Sequence, residues 1–349
     1  MITYRIRGSS GESLIVLGES LDHLDRYITN RNCAIVTDEH IAKLYGDRFP
    51  SGELILTGCG EQHKTLRTVE MLYQRFLDAR LDRSSLVLAV GGGLVSDMAG
   101  FAASTYLRGL RFGVVATTLL AQVDAGVGGK TGVNFQGYKN TIGVFAQPEF
   151  VLMNFEVLRT LPPRVLGCGF AEAIKHGAIA DPDLFCFMED HVQSICALEA
   201  SAVERIVNDS VRIKAAVVNN DEKEDGDRRK LNFGHTFGHA VEKTLGLPHG
   251  ESVAIGMMVA AELSHNKGGL SRTEVERLRQ LLEAYGLPTS IESDKTALKE
   301  AMQRDKKRYG TRIRFVLLEE LGRAVVEDLD LEELETAIDN MHSAKEGRP

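Results

Sequence analysis

The stretch LVLAVGGGLVSD, residues 86–97, decides the fold class of this chain. Its first five residues, Leu86 to Val90, are uniformly apolar, which is typical of a strand buried on both faces. Three glycines follow at 91–93, and a helical pattern begins near Leu94. A strand that passes through a short glycine turn into a helix is the repeating unit of an open, largely parallel α/β sheet.

Apolar runs on both sides of this stretch repeat the alternation of strand and helix through about residue 155. The predicted strands are CAIVT (33–37), LILT (54–57), FGVVA (112–116) and FVLM (150–153). Leu66, Val69, Leu72 and Phe76 recur at the spacing of a helix between two of them.

After Leu161-Pro162-Pro163 helical patterns dominate, and they cover 199–220, 229–245, 251–266 and 272–285. Ser271 and Glu274 predict a capping box, and the runs 312–318 and 323–326 predict a hairpin. We therefore expect a Rossmann-like α/β domain over 1–158 and a mostly α-helical domain over 159–349.

Composition excludes several classes of protein. The chain has 349 residues, with 41 Lys plus Arg against 49 Asp plus Glu and a net charge of −8. This length can bury a sufficient core without disulfides, and the acidic balance disfavours nucleic-acid or anionic-membrane partners. The five cysteines show no CxxC spacing, so we expect reduced, mostly buried thiols. No apolar stretch reaches 18 residues and the start does not resemble a signal peptide, which favours a cytoplasmic protein.

The glycine turn at 91–93 is the first candidate binding site. Glycines ahead of a helix allow a phosphate to approach the backbone and the positive end of the helix dipole. The alternative is a tight turn without a ligand, since GGGLVSD does not match the G-x-G-x-x-G dinucleotide pattern. Asp38, at the end of an earlier strand, could bond a ribose hydroxyl or be an ordinary surface residue.

A second glycine-rich segment, GVGGKT at 126–131, carries Lys130. It is not a P-loop, because that motif requires glycine where this chain has Asp124. Lys139 and Asn140 follow closely, so the region concentrates cations and donors as a phosphate or carboxylate site does. Solvated loop lysines are the alternative.

Three histidines form the third candidate site. His235 and His239 are four residues apart, on one face of a predicted helix, and His249 precedes the next helix. Together with Glu172 they offer two histidines and a carboxylate, a set that leaves a catalytic zinc ion one open position. Histidines that only pack helices together are the alternative.

Read together, these segments resemble the sugar-phosphate cyclase superfamily, and within it the 3-dehydroquinate synthase family, over almost the whole chain. The motifs that carry the resemblance are GEQHKT (60–65), GGGLVSDMAGFAAS (91–104), RG (108–109), TT (117–118), GVGGKTGVN (126–134), GYKN (137–140), LPPR (161–164), AEAIKHG (171–177), LNFGHTFGHAVE (231–242), HGE (249–251) and RDKK (304–307).

The resemblance implies a dehydroquinate synthase-like fold with an N-terminal NAD-binding domain, a C-terminal metal-binding domain and an active site in the cleft between them. A divalent metal, zinc or cobalt, would be bound by Glu172, His235 and His249, which makes His239 a substrate-side residue. The residues that would meet NAD are Asp38, Glu61, Lys64, Gly91, Gly92, Gly93, Asp97, Thr117, Thr118, Lys130 and Lys139.

Further residues match the substrate pocket of the family. The catalytic set would be Asp124, Lys130, Lys175, Lys214, Arg228, Asn232 and His239. The phosphate and its surroundings would meet Arg108, Lys139, Asn140 and one of Lys306 and Lys307, of which we favour Lys307. The cations would balance the carboxylate and phosphate of the family's substrate.

That substrate is 3-deoxy-D-arabino-heptulosonate 7-phosphate, which the family converts to 3-dehydroquinate in the shikimate pathway. The implied enzyme is a carbon–oxygen lyase and a homodimer that oxidises C5 with NAD, eliminates phosphate, reduces C5 and closes the ring by an aldol step. A sister cyclase, a metal-dependent polyol dehydrogenase and a non-catalytic zinc- or nucleotide-binding protein are the alternatives. Asn232, with the cations Arg228 and Lys214, favours the dehydroquinate reaction over that of the sister cyclases, and the phosphate-binding cations argue against an uncharged polyol.

Overall fold

The stretch that decides the fold forms β5 (Leu86–Gly91) and the helix that follows it, Gly93–Thr105, in a computed structural model of the chain. The structure describes residues 1–28, 31–291, 298, 308–309 and 312–340. Every residue of β5 is buried, and the strand pairs in parallel on both sides. The prediction of an inner parallel strand is therefore confirmed.

The described strands are β1 (Ile2–Gly8), β2 (Gly11–Leu17), β3 (Cys33–Asp38), β4 (Glu53–Thr57), β5, β6 (Arg111–Ala116), β7 (Lys130–Phe135), β8 (Tyr138–Phe145), β9 (Phe150–Met153), β10 (Arg308–Tyr309), β11 (Arg312–Glu320) and β12 (Arg323–Asp330). Seven of them, β3, β4, β5, β6, β9, β11 and β12, agree closely with the predicted apolar runs. The predicted terminal hairpin is the antiparallel pair of β11 and β12. The hairpins of β1 with β2 and of β7 with β8 were not anticipated.

The described α-helices are α1 (Asp25–Ile28), α2 (Glu39–Tyr45), α3 (Leu66–Asp78), α4 (Gly93–Thr105), α5 (Pro163–Ala180), α6 (Pro182–Asp190), α7 (Val192–Cys196), α8 (Ala200–Asn220), α9 (His235–Leu245), α10 (His249–Asn266), α11 (Arg272–Ala284) and α12 (Leu331–Asn340). The capping box of Ser271 and Glu274 is present at the start of α11. The predicted helix 229–245 is interrupted, because Gly234 adopts a left-handed conformation with φ 79° and α9 begins only after it.

The chain divides into two compact units. The first comprises Met1–Leu161 and Val203–Lys223, and the second comprises Pro162–Ala202 and Glu224–Pro349. The end of the first segment at Leu161 lies close to the expected boundary at residue 158. Most of α8 belongs to the first unit, although it follows the boundary in sequence. A single boundary along the chain could not have predicted this.

A seven-stranded sheet in the order β1-β2-β9-β6-β5-β3-β4 organises the first unit. Its pairs are parallel except for β1 with β2. After β3 the chain adds β4 on one side of that strand, and it then crosses to the other side to add β5 and β6. The direction in which strands are added therefore reverses between β3 and β5. Ligands of open α/β sheets bind at the carboxyl ends of the strands at such a reversal.

Two apolar helices, α5 and α10, form the interior of the second unit. Most residues of both are buried, and α10 packs against α5, α9, α11 and β11. Within the described residues, no helix combines the length and apolar character needed to cross a membrane.

The cysteines form no disulfide, as expected, and Cys33 is buried in the sheet. The expectation of mostly buried thiols is wrong, since Cys59, Cys186 and Cys196 are exposed. Cys59 lies in the loop after β4, Cys186 lies on α6 beside the guanidinium of Arg277, and Cys196 is the last residue of α7.

Candidate active site

The glycine turn lies at the carboxyl end of β5, where the strand order reverses. Gly92 is the N-cap of α4 and has no side chain to occupy the first backbone N–H groups of that helix. A Cβ atom at Gly92 would lie 2.9 Å from Cγ2 of Thr118, and one at Gly93 would lie 3.0 Å from Cβ of Ala125. A side chain at either position would crowd these neighbours, and the turn leaves a helix N-terminus available to a phosphate.

Asp38, Thr117 and Thr118 lie at the ends of the two strands that flank β5. The N–H of Thr117 donates to the carbonyl of Gly91 at 3.0 Å, which ties the end of β6 to the glycine turn. Asp38 is the N-cap of α2, where its carboxylate accepts from the N–H of Ile41 at 2.9 Å. This capping role accounts for one carboxylate oxygen, and the ribose contact of Asp38 stays a prediction.

Lys64 contacts one residue predicted to bind NAD, Asp97, and one predicted to bind the substrate, Asn140. Its Nζ atom lies 2.5 Å from Oδ2 of Asp97, on α4, and 2.5 Å from Oδ1 of Asn140, in β8. Burial raises the pKa of Asp97, and the ammonium group of Lys64 partly opposes that rise. Asn140 has a left-handed φ of 50°, so this contact helps to hold a strained backbone.

Four further predicted residues of the first unit are more exposed, namely Glu61, Arg108, Lys130 and Lys139. The carboxylate of Glu61 accepts from Nδ2 of Asn134 at 2.7 Å, and its Oε1 lies 3.8 Å from Nζ of Lys139. Lys130 and Arg108 are exposed, and Arg108 has a left-handed φ of 67°. Their positive charges attract an anionic ligand, and charge-assisted hydrogen bonds to it would offset the water that both partners lose on binding.

Asp124 and Lys214 meet within the first unit although 90 residues separate them. A π-helical turn, Ala121–Ala125, presents Asp124, and α8 presents Lys214. Nζ of Lys214 lies 2.6 Å from Oδ1 of Asp124. π-Helical turns occur frequently at functional sites, which supports the assignment of Asp124 to the site.

The predicted metal ligands come together in the second unit. Glu172 lies on α5 and is fully buried, while His235 and His249 are the first residues of α9 and α10. Oε1 of Glu172 lies 3.5 Å from Nε2 of His235 and 3.4 Å from Nε2 of His249. Ligands about 2.0–2.1 Å from a tetrahedral zinc ion are about 3.3–3.4 Å apart, so these residues fit a zinc ion.

The electrostatics of the set also suit a cation. The ammonium of Lys175 donates to the other carboxylate oxygen of Glu172, so Oε1 is the oxygen that faces both imidazoles. Burial, reinforced by the nearby Lys175, lowers the pKa of His235 well below its ordinary value, although Glu172 opposes this. A neutral imidazole is the form that binds metals. Burial also lowers the pKa of His249, but the carboxylates of Glu172 and Glu242 outweigh it and raise the pKa to about 9.

Glycines bring the three helices of the metal set within backbone contact. A Cβ atom at Gly250 would lie 2.3 Å from Cα of Cys168, one turn before Glu172 on α5. A Cβ atom at Gly256 would lie 1.9 Å from the carbonyl oxygen of Gly234, which precedes His235. The glycines of the sequence motifs therefore set the distances between the metal-binding side chains.

The other predicted residues of the second unit differ in burial. Arg228 and Lys175 are buried, whereas His239 is exposed, one turn after His235 on α9. The side-chain amide of Asn232 donates to the carboxylate of Glu224. Lys307 and its alternative Lys306 lie outside the described residues.

The spacing of the histidines alone left His239 open as a metal ligand. The structure places a second acidic residue, Glu242, near it. Ligand atoms of His239, Glu242 and His249 also lie within 4.8 Å of one another. The sequence analysis did not identify Glu242 or Glu224. The signal for Glu242 was its position seven residues after His235, on the same face of α9.

Comparisons with known proteins agree with this geometry. Residues 54–168 match the family model for the 3-dehydroquinate synthase N-terminal region, and residues 169–308 match that for its C-terminal region. The 3-dehydroquinate synthase of Halorhodospira halophila is 45% identical over 324 residues, which cover 90% of each chain.

Solved structures of sister enzymes share the fold. A 2-deoxy-scyllo-inosose synthase complexed with carbaglucose-6-phosphate, NAD+ and Co2+ is 26% identical with a TM-score of 0.88, over 97% of this chain and 100% of that one. The 2-epi-5-epi-valiolone synthase of Streptomyces hygroscopicus, with NAD+ and Zn2+ bound, is 27% identical with a TM-score of 0.87, over 95% and 96% of the two chains. Two family models that together span most of the chain, and a relative of 45% identity, show that the chain belongs to the 3-dehydroquinate synthase family.

Proposed function

We propose that the protein converts 3-deoxy-D-arabino-heptulosonate 7-phosphate to 3-dehydroquinate and phosphate, as a lyase of the shikimate pathway. Membership of the family supports the reaction, and one structural observation carries its chemistry: Oε1 of Glu172 lies within 3.5 Å of two imidazole nitrogens, as a tetrahedral metal requires. The substrate is a sugar phosphate, and the protein acts as a homodimer in the cytoplasm, where the NAD pool is available.

NAD fits the first unit. The glycine turn before α4, the ends of β3 and β6 beside it, and the reversal of strand order supply the features of a dinucleotide site. In this proposal Gly91, Gly92 and Gly93 meet the pyrophosphate, and Asp38 meets a ribose. NAD bound there would supply reversible hydride transfer.

The metal set of the second unit fits a divalent ion, zinc or cobalt, held by Glu172, His235 and His249. Bound there, the ion supplies Lewis acidity that lowers the pKa of a substrate hydroxyl. The buried ammonium of Lys175 keeps Glu172 ionised and oriented towards the imidazoles. Asn232 and His239 are our candidates to move the proton of that hydroxyl.

Cations of this chain bind and orient the substrate. The proposed substrate has a carboxylate and a phosphate, and each needs countercharge once water is excluded. We assign Lys130, Lys214 and Arg228 to that task, together with Arg108, Lys139 and Asn140 near the phosphate. Asp124 holds the ammonium of Lys214 in a fixed position, since their atoms lie 2.6 Å apart.

The test is phosphate release from 3-deoxy-D-arabino-heptulosonate 7-phosphate with catalytic NAD+ and zinc, while NADH absorbance is followed. We expect stoichiometric phosphate release without net NADH formation, and loss of phosphate release when a chelator is added. Steady NADH accumulation with glycerol and no phosphate release would contradict the proposal and indicate a polyol dehydrogenase.

A sister cyclase activity is the second candidate, because the inosose synthase structure superposes with a TM-score of 0.88. Glucose 6-phosphate, which lacks a carboxylate, is therefore the matched control substrate. Turnover of glucose 6-phosphate and not of the heptulosonate would favour this second candidate.

A further inference from the structure

The imidazole of His249 lies between two carboxylates that face its two nitrogen atoms. Nε2 lies 3.4 Å from Oε1 of Glu172, on the side of the metal set. Nδ1 lies 3.7 Å from Oε2 of Glu242, on the other side. The side chain of Glu242 is only 9% exposed, so this carboxylate is largely removed from water.

Helix packing places Glu242 beside His249. Glu242 follows His235 by seven residues on α9, which corresponds to two turns and the same helix face. A Cβ atom at Gly238 would lie 2.9 Å from the carbonyl oxygen of Ser252, so α9 and α10 approach within backbone contact there. The carboxylate is thus held by the fold and does not reach His249 by a chance side-chain conformation.

The chemistry of a metal-bound imidazole requires such a partner. A histidine that binds a metal through Nε2 carries its proton on Nδ1, and that N–H is almost always donated to a carboxylate, a backbone carbonyl or water. Nδ1 of His235 lies 3.2 Å from the backbone carbonyl oxygen of Phe233, which is the second kind of partner. Glu242 is the corresponding partner for His249.

We infer that Glu242 is a positioning residue of the metal site. Its carboxylate accepts a hydrogen bond from Nδ1–H of His249, fixes the orientation of that ring and strengthens Nε2 as a ligand. The inference rests on the metal set proposed above. The 3.7 Å separation is about 0.7 Å longer than an ordinary N–H···O hydrogen bond, so a small rotation of the ring completes the contact.

The measurement is the affinity of the metal-free full chain for zinc, without NAD or substrate. Competition with a chromophoric chelator gives this affinity. Glu242→Ala should weaken binding by about 10- to 100-fold, the range found for such outer partners. The zinc affinity of Glu242→Gln should lie between those of Glu242→Ala and the wild type, because the amide oxygen still accepts the hydrogen bond from Nδ1–H. Thermal unfolding of the metal-free proteins checks that the variants fold.

Glu251→Gln is the matched control. Glu251 lies two residues after His249 and its carboxylate binds the guanidinium of Arg164, so the control removes a nearby negative charge without touching His249. Its zinc affinity should stay within about twofold of the wild type, because the carboxylate of Glu251 is engaged by Arg164.

The visible spectrum of the cobalt-substituted protein separates positioning from direct ligation. Glu242→Ala should keep the band intensity of a four-coordinate site and shift the band maxima, because the ligands are unchanged while the donor strength of His249 falls. A change of coordination number would overturn the inference, since Glu242 would then be a ligand itself. Wild-type zinc affinity in Glu242→Ala would overturn it and leave the metal set intact, whereas absence of zinc binding by the wild type would overturn both.

Discussion

Nζ of Lys214 lies 2.6 Å from both Oδ1 and the backbone carbonyl oxygen of Asp124, within the first unit. The side chains are 7% and 21% exposed, so the fold removes most of both charges from water. Removal of one charge from a buried pair leaves the other poorly compensated. Breaking the pair should therefore lower stability as well as disturb the proposed site.

Replacement of Lys214 by methionine, Lys214→Met, should lower the free energy of unfolding by about 2–4 kcal/mol, because the carboxylate of Asp124 stays largely buried. The double variant with Asp124→Asn should regain part of that loss, since the charge that lost its partner is gone. Urea unfolding of the two single variants and the double variant measures the coupling. Additive losses would show that the two groups do not interact.

His249→Ala should abolish binding of one zinc ion per chain and phosphate release together, because one of three ligands is lost. Elemental analysis of dialysed protein measures the metal. His191→Ala, an exposed histidine of the same unit, is the control and should keep the full metal content. A full zinc content in His249→Ala would contradict the proposed ligand set.

Gly250→Ala should lower the free energy of unfolding by about 1–3 kcal/mol and weaken zinc binding, because the new Cβ would lie 2.3 Å from Cα of Cys168 and force α10 away from α5. Gly167→Ala is the control on α5, where the new Cβ would meet only Cδ2 of Leu287 at 3.7 Å. It should be neutral or slightly stabilising. Equal behaviour of the two variants would show that backbone contact at Gly250 does not set the site.

The capping box of α11 predicts a dependence of stability on pH. Burial raises the pKa of Glu274, but hydrogen bonds from the hydroxyl and N–H of Ser271 outweigh it, and the net pKa is lowered. A carboxyl whose pKa is lower in the folded state stabilises the fold above its unfolded pKa, about 4.3, and loses this effect as pH falls through the folded pKa.

Glu274→Gln can keep the capping hydrogen bonds and removes the charge, so it should cost about 0.3–1 kcal/mol of unfolding free energy at pH 7, and the cost should shrink as the pH is lowered towards 3. Chemical denaturation across this pH range measures it. Glu276→Gln, on the same helix with a half-exposed side chain paired to Arg279, should show little effect. A cost for Glu274→Gln that is constant with pH would rule out the carboxylate as its origin.

Local sequence was sufficient for many elements of the fold, although not for the hairpins of β1 with β2 and of β7 with β8. The apolar run before Gly91 specified β5, the spacing of Leu66 to Phe76 specified α3, and Ser271 with Glu274 specified the start of α11. These signals work because strand burial, helix periodicity and capping each depend on residues only a few positions apart. The ordered series of motifs was likewise sufficient to identify the family.

Only the tertiary structure decided relationships between residues far apart in the chain. It brought Lys214 to Asp124 across 90 positions and grouped α8 with the first unit. It also placed the carboxylate of Glu242 3.7 Å from Nδ1 of His249, a proximity that the spacing of the motifs did not indicate. The physical reason is that helix periodicity determines which face a residue occupies, whereas glycine-mediated packing between helices determines which faces meet.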